Sequence, residues 1–207
     1  MTLIAQITDP HLRDDNANPC HDPVQTMRDA FTIIAAMDRR PDAIVLTGDI
    51  IDRSALGYGH ALPLLSEAPV PVLPIPGNHD HAAAFRTAFA GWADFQPDHL
   101  SFTAAVGKVL LIALDSNLPG RSAGVDQRRL DWLAGVLSKA TAPAILALHH
   151  PPFPTMVPHL EKSGFAGTRS LAALIKGSAI RRVIAGHSHR SIRTLWAQLR
   201  RRRQTYY

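Results

Sequence analysis

The 207-residue sequence predicts an α/β domain, and three observations carry that prediction. Short apolar runs alternate with amphipathic stretches. The apolar runs end in clusters of polar, donor-type residues rather than ordinary turn residues. The composition, 46% hydrophobic and 19% charged, is that of an ordinary globular domain with enough chain for a sizeable core.

The elements follow in order. Leu3–Thr8 reads as a strand. Asp22-Pro23 reads as an N-cap followed by proline at the first helical position. Val24, Met27, Phe31 and Ile34 then recur at helical spacing up to the Arg39-Arg40-Pro41 stop. Ala43–Thr47 is a buried strand. Ser54–Ser66 is a weaker helix, interrupted by Gly57 and Gly59. Val70–Ile75 is a third strand and Ala82–Phe89 a short helix. Ser101–Ala105 and Lys108–Ala113 flank Gly107 as a hairpin. Asp126 caps a helix carrying Leu130, Leu133 and Leu137. Ala144–Leu148 is a strand, Thr168–Lys176 a helix and Arg182–Ala185 a final strand.

Several classes fall away on composition. No apolar run approaches the roughly 20 residues of a membrane span, so no membrane partner is expected. The N-terminus lacks a basic region and a cleavage site, so no signal peptide is read. The single cysteine, Cys20, excludes an intrachain disulfide and makes the cytoplasm the expected compartment. The net charge of +5 is local, because Arg200–Arg203 are four consecutive arginines and the rest of the chain carries +1. A basic face for nucleic acid would be spread over the fold, so a nucleic-acid partner is not expected.

The polar clusters carry the chemistry. Ile7-Thr8 leads into Asp9-Pro10-His11, Leu46-Thr47 into Gly48-Asp49, and Ile75 into Pro76-Gly77-Asn78-His79-Asp80-His81. Leu148 leads into His149-His150, and Ile184-Ala185 into Gly186-His187-Ser188-His189. Ligands of open α/β sheets bind outside the carboxyl ends of strands. On extended backbone, Asp9 and His11 would point the same way, as would His187 and His189. The donors are Asp9, Asp49, Asn78, His11, His149, His187 and His189. They offer nitrogen and oxygen without thiolate, which suits divalent Mn, Fe, Zn or Co. Seven donors exceed one four-coordinate site and match two ions, one carboxylate bridging them, an arrangement suited to phosphate ester displacement. Singly, each motif has a plainer reading: a strand-end histidine is usually core or surface, and Asp after Gly usually forms a turn. Five such motifs at five strand ends are hard to reach by chance.

In this order the motifs resemble those of the calcineurin-like metallophosphoesterases. Leu148-His149-His150-Pro151-Pro152-Phe153 and Leu114-Asp115-Ser116 resemble the bacterial class III cyclic nucleotide phosphodiesterases and the related glycerophosphodiesterases. The resemblance implies a four-layer αββα sandwich over residues 1–190, with a dinuclear site on its rim and a short basic tail at 191–207. It implies that Asp9, His11, Asp49 and His189 hold one metal, and that Asp49 bridges to a second held by Asn78, His149 and His187. His79 would face the substrate phosphate and hold the phosphoryl oxygens together with Asn78, with Asp80 orienting His79. The implied reaction is hydrolysis of a cyclic nucleotide or small glycerol-type phosphodiester by a metal-bridging hydroxide. A phosphomonoesterase or protein phosphatase is the alternative, because Gly48-Asp49-Ile-Ile-Asp52-Arg53 also resembles the phosphatase run in which the arginine contacts phosphate. A surface salt bridge is the plainer role for Arg53. A metal-poor interaction scaffold is the reading from another class, and it is disfavoured because all seven donor positions are filled. His81 is either a pocket residue or a helix cap. His150 should point away from His149, as a structural or supporting group.

Members of that subgroup continue with further strands beyond the last motif, whereas Ala197–Tyr207 does not read as strand and turn. The second sheet is therefore expected to be incomplete, with an open edge near the Ser101–Ala113 hairpin. Open edges invite pairing with another chain. Trp196 and Leu199 could cover part of that edge. Self-association, giving a homo-oligomer, or a stability markedly below that of a full-length relative is the expected outcome; a monodisperse monomer in sedimentation, with an ordinary, concentration-independent melting point, would exclude it.

Overall fold

The computed structural model describes residues 1–13, 22–120, 123–158 and 164–194. Cys20, Trp196, Leu199 and Arg200–Arg203 lie outside the described residues.

Two sheets stack face to face. The first contains β1 (Ile4–Ile7), β2 (Ala43–Thr47) and β3 (Val72–Ile75), all parallel, in the order β1-β2-β3. The second has the order β4-β5-β6-β7, from β4 (Phe102–Val106), β5 (Val109–Ala113), β6 (Ala144–Leu148) and β7 (Ile180–Ala185). Here β4 and β5 form the expected antiparallel hairpin, with Gly107 at positive φ in its turn, and β5, β6 and β7 are parallel. Helices α1 (Pro23–Ala35), α2 (Tyr58–Ser66) and α3 (Ala82–Ala88) cover the first sheet, and α4 (Gln127–Lys139) and α5 (Thr168–Ile175) cover the second.

The period-2 alternation of side chains explains this layering. In β2, Ile44 and Leu46 join Met27, Phe31, Leu64 and Phe85 in the outer core, whereas Ala43 and Val45 face the other sheet. In β6, Leu146 and Leu148 pack with Leu133, Leu171 and Ile175, and Ala147 turns inward beside Leu111, Ala113 and Phe102. Strands buried on both faces read as continuous apolar runs. Three cores thus separate four layers, the αββα arrangement.

Differences from the sequence reading are small and have causes. The Ser54–Ser66 helix divides into a 3₁₀ turn, Ala55–Gly57, and α2. Asp22 caps α1 by accepting from the N–H groups of Val24 and Gln25, and Asp126 caps α4 through the Arg129 N–H. Among the described residues, β4 and β7 are the edges of the second sheet, and β1 and β3 those of the first. No helix of the described residues is long and apolar enough to cross a membrane.

A buried ion pair ties the hairpin to α4. Arg129, 5% exposed, donates from Nε to the Asp115 carbonyl (2.8 Å) and from Nη2 to Asp115 Oδ2 (3.2 Å) and the Asn117 carbonyl (2.8 Å). Asp115 also accepts from the N–H groups of Leu100 and Asn117. Removing one partner of a buried pair strands the other charge. Arg129→Met is therefore expected to cost about 3–5 kcal/mol of unfolding free energy, read by denaturant titration; a loss under about 1 kcal/mol would show that Asp115 is satisfied without it.

Candidate metal centre

The carboxyl ends of β1, β2, β3, β6 and β7 open on one rim of the sandwich, and backbone hydrogen bonds lock them in register. The Asp9 N–H donates to Gly48 O (3.1 Å), His11 N–H to Asp49 O (3.0 Å), and Gly186 N–H to His149 O (2.9 Å). The last bond joins two ends within the second sheet. The sheets are joined by Gln6, whose Nε2 donates to Ala185 O (2.9 Å), and by the His187 N–H, which donates to Asp9 Oδ2 (3.0 Å).

The extended-backbone account of the i, i+2 pairs is corrected here. Asp9 (φ 53°), His11 (47°), Asp49 (49°), His187 (66°) and His189 (47°) all adopt left-handed backbone. β1, β2 and β7 turn sharply as they end, which brings these side chains to the rim. Such conformations cost of order 1–3 kcal/mol apiece for non-glycine residues and persist where the surroundings enforce them. Two glycines make room for the turns. A Cβ on Gly77 would sit 2.2 Å from the Asp49 backbone nitrogen, and one on Gly48 2.3 Å from His149 Nδ1.

Seven expected donors converge. Asp49 is 2% exposed, and its two oxygens face different groups. Oδ1 lies 3.5 Å from His149 Nε2, and Oδ2 lies 3.8 Å from His11 Nε2. On the first side, His149 Nε2 is 3.0 Å from Asn78 Oδ1 and 3.1 Å from His187 Nδ1. On the other, His11 Nε2 is 3.2 Å from His189 Nε2, which is 3.5 Å from Asp9 Oδ1. Asp9, His11 and His189 form one group whose donor atoms lie within 4.8 Å of one another, and Asp9, Asp49 and His149 form another. So do His11, Asp49 and His79, and His149, His150 and His187.

The chemistry of the donor set fits a metal ion. His149 Nδ1 is 2.9 Å from the Thr47 carbonyl, which can only accept, so Nδ1 carries the hydrogen. With His149 neutral, as a metal ligand must be, its Nε2 lone pair faces Asn78 Oδ1, Asp49 Oδ1 and His187 Nδ1. A cation satisfies lone pairs so arranged, and the nitrogen and oxygen donors fit a divalent transition metal. The charges of Asp49 and His149 are coupled to each other. Burial opposes the Asp49 charge, but His149 and the His79 N–H outweigh it and hold this carboxyl well below the usual range. Burial lowers the His149 pKa, but Asp49 outweighs it and raises it. His187 is pushed down to about 4 by burial and by His149.

Around the donors the structure revises two roles and resolves a third. Asp80 does not orient His79. It accepts from the N–H groups of Gly77 (2.8 Å), Ile50 (3.1 Å) and Ile51 (3.4 Å) and from the Tyr58 hydroxyl (2.8 Å), clamping the Asp49 turn to the Asn78 turn. Burial pushes its pKa up to about 6, against those donors. The carboxylate beside His79 is Asp52, with Oδ1 3.0 Å from Nδ1. The spacing Gly48-Asp49-x-x-Asp52-Arg53 was the available signal, but adjacency in sequence favoured Asp80. His79 Nε2 lies 4.0 Å from Asp49 Oδ2, and Arg53 Nε lies 3.4 Å from His79 Nδ1. His81 occupies the N-cap position of α3 without a capping bond, and its Nε2 meets the Arg53 carbonyl instead. His150 is 3% exposed and bonds Ser116.

The family model of the calcineurin-like phosphoesterases matches residues 2–191. The chain belongs to that family. The chain is 33% identical over 179 residues to a probable cyclic nucleotide phosphodiesterase of Rhodococcus erythropolis, covering 83% of this chain and 59% of the relative. It is 29% identical over 209 residues to a probable glycerophosphodiester phosphodiesterase of Arcobacter nitrofigilis, covering 95% of this chain and 75% of that protein. The chain thus spans little more than half the length of the first relative. A purple acid phosphatase from yellow lupin seeds shares the fold, with a TM-score of 0.68 at 12% identity over 91% of this chain and 38% of that one.

The buried imidazoles give the chain's stability a pH dependence. Burial lowers His11, His99, His150 and His187 below the ordinary histidine value. The unfolded chain therefore binds protons that the folded one refuses, and stability falls as pH drops below about 6.5. His149 acts in the opposite sense, its stabilisation fading as pH rises through its raised pKa. Asp80 likewise opposes the trend, but mostly below pH 6. The melting temperature of metal-free protein should fall from pH 7 to pH 5; a flat or rising profile would contradict this balance.

Proposed function

We propose that this chain is a dinuclear-metal phosphodiesterase acting on a small phosphodiester, a cyclic nucleotide or a glycerol-type diester. The observation that supports it most is the disposition of Asp49, whose two oxygens face two separate sets of lone pairs. In this reading Asp9, His11, His189 and Asp49 hold one divalent ion, and Asp49, Asn78, His149 and His187 hold the other. Bound ions would supply Lewis acidity and, at neutral pH, a hydroxide nucleophile.

The chain's own groups do the remaining work. Thr47 O keeps the His149 hydrogen on Nδ1, leaving Nε2 free to ligate. Asp52 accepts from His79 Nδ1, which makes Nε2 the atom that faces substrate. When doubly protonated, His79 steadies a phosphoryl oxygen through its Nε2–H or gives that proton to the leaving alkoxide. Asn78 Oδ1, 3.0 Å from His149 Nε2, offers a neutral oxygen donor beside it. Asp80 holds both loops rather than the proton. The names of the two relatives, each a phosphodiesterase, support the substrate class.

Charge favours a diester. Two divalent ions, the carboxylates of Asp9 and Asp49 and one hydroxide leave a single positive charge, which balances a diester monoanion. One observation supports a monoesterase: Arg53 lies beside His79 and brings a further cation to the rim.

Chelation should abolish hydrolysis and Mn²⁺ restore it. Asp49→Ala should lose both ions. His79→Ala should keep them and slow turnover about 10²–10⁴-fold; loss of metal in that variant would make His79 a ligand instead. A matched pair of aryl esters decides the substrate class, with kcat/KM expected to be higher for the diester. Full activity of rigorously demetallated protein would overturn the whole reading.

A further inference from the structure

His149 and His187 are supported differently. The His149 ring is fixed by the Thr47 carbonyl at 2.9 Å. Among the described residues, the His187 ring has no carbonyl or carboxylate partner, and its nitrogens come within hydrogen-bond distance of His149 Nε2 alone. What does touch it is the ring of His150, centroid to centroid 4.6 Å at 60°. His150 also meets His149 nearly edge to face, at 4.7 Å and 81°.

His150 is itself held twice by one side chain. Ser116 Oγ lies 2.9 Å from His150 Nδ1 and accepts the His150 backbone N–H at 3.1 Å. Both residues are buried, Ser116 at 0% and His150 at 3% exposure. The Ser116 hydroxyl hydrogen has one acceptor among the described residues, His150 Nδ1. Donation there fixes the tautomer and leaves the His150 hydrogen on Nε2. A ring nitrogen of His150 lies within 4.8 Å of those of His149 and His187, yet a protonated Nε2 and an occupied Nδ1 leave it no lone pair for a metal.

We propose that Ser116 and His150 are a positioning pair for His187, holding its ring in the ligating orientation while keeping His150 out of the ligand set. The pair does for His187 what a backbone carbonyl does for His149. Outer partners of metal-binding imidazoles are commonly worth 10–100-fold in metal affinity. This inference rests on the dinuclear reading above.

The test is Mn²⁺ binding by equilibrium dialysis with elemental analysis, on wild type, Ser116→Ala, His150→Ala and His150→Phe. Wild type should bind two ions. Ser116→Ala and His150→Ala should weaken one of the two about 10–100-fold and leave the other unchanged. His150→Phe, which restores a ring, should recover part of the loss. In a His187→Ala background, Ser116→Ala should add nothing, because the pair acts through His187. Variants that bind two ions with wild-type affinity would overturn the proposal while leaving the dinuclear reading intact, as would a lowered melting temperature with unchanged binding. Fewer than two ions in wild type would overturn both.

Discussion

Asp49 is the residue through which the two halves of the rim meet. It is buried, sits in left-handed backbone, and accepts the His79 N–H at 2.8 Å. Its charge is affordable in that position only because donors and imidazoles surround it. Everything nearby is arranged around that burial. Gly77 must lack a side chain so that the next turn can close against Asp49, and Asp80 ties the two turns together from beneath. The left-handed turns at Asp9, His11, His187 and His189 then bring four more donors to the same rim. Local strain is accepted at the strand ends, and the three cores below supply the stability that sustains it.

Much of this was legible in the sequence because strands buried on both faces leave an unmistakable mark. Ala43–Thr47 and Ala144–Leu148 matched the observed strands residue for residue. Both helix caps were readable because an aspartate before a periodic apolar run has few other uses. The donor residues stood out because imidazoles and carboxylates at strand ends have no packing role. Boundaries at Val70 and Arg182 shifted by two residues, since hydrogen bonding rather than hydrophobicity sets where a ladder begins.

What escaped the sequence was partnership. Asp80 is adjacent to His79, and adjacency suggested a pair, but the tight turn sends Asp80 inward to four donors while Asp52 arrives from another strand end. Ser116 and His150 are separated by 34 residues, and nothing at either position announces the other. The i, i+2 reading reached the convergence of Asp9 with His11 by the wrong backbone. Alternation is a property of strands, and these residues lie just past them, where φ changes sign.

The rim also sets how the molecule comes together in time. Gln6 reaches Ala185 and Asp9 receives the His187 N–H across 179 and 178 residues of chain. Contacts of that span close late, after the loop-closure entropy of the intervening chain has been met. The strand ends near Asp9 and near His187 cannot be in place separately: each is part of the other's wall. An ion held by both would therefore act as a clasp between β1 and β7, resisting the partial openings in which either edge peels away. Amide exchange at β1 and β7 would then slow together when the clasp is closed, although the two strands share no backbone ladder.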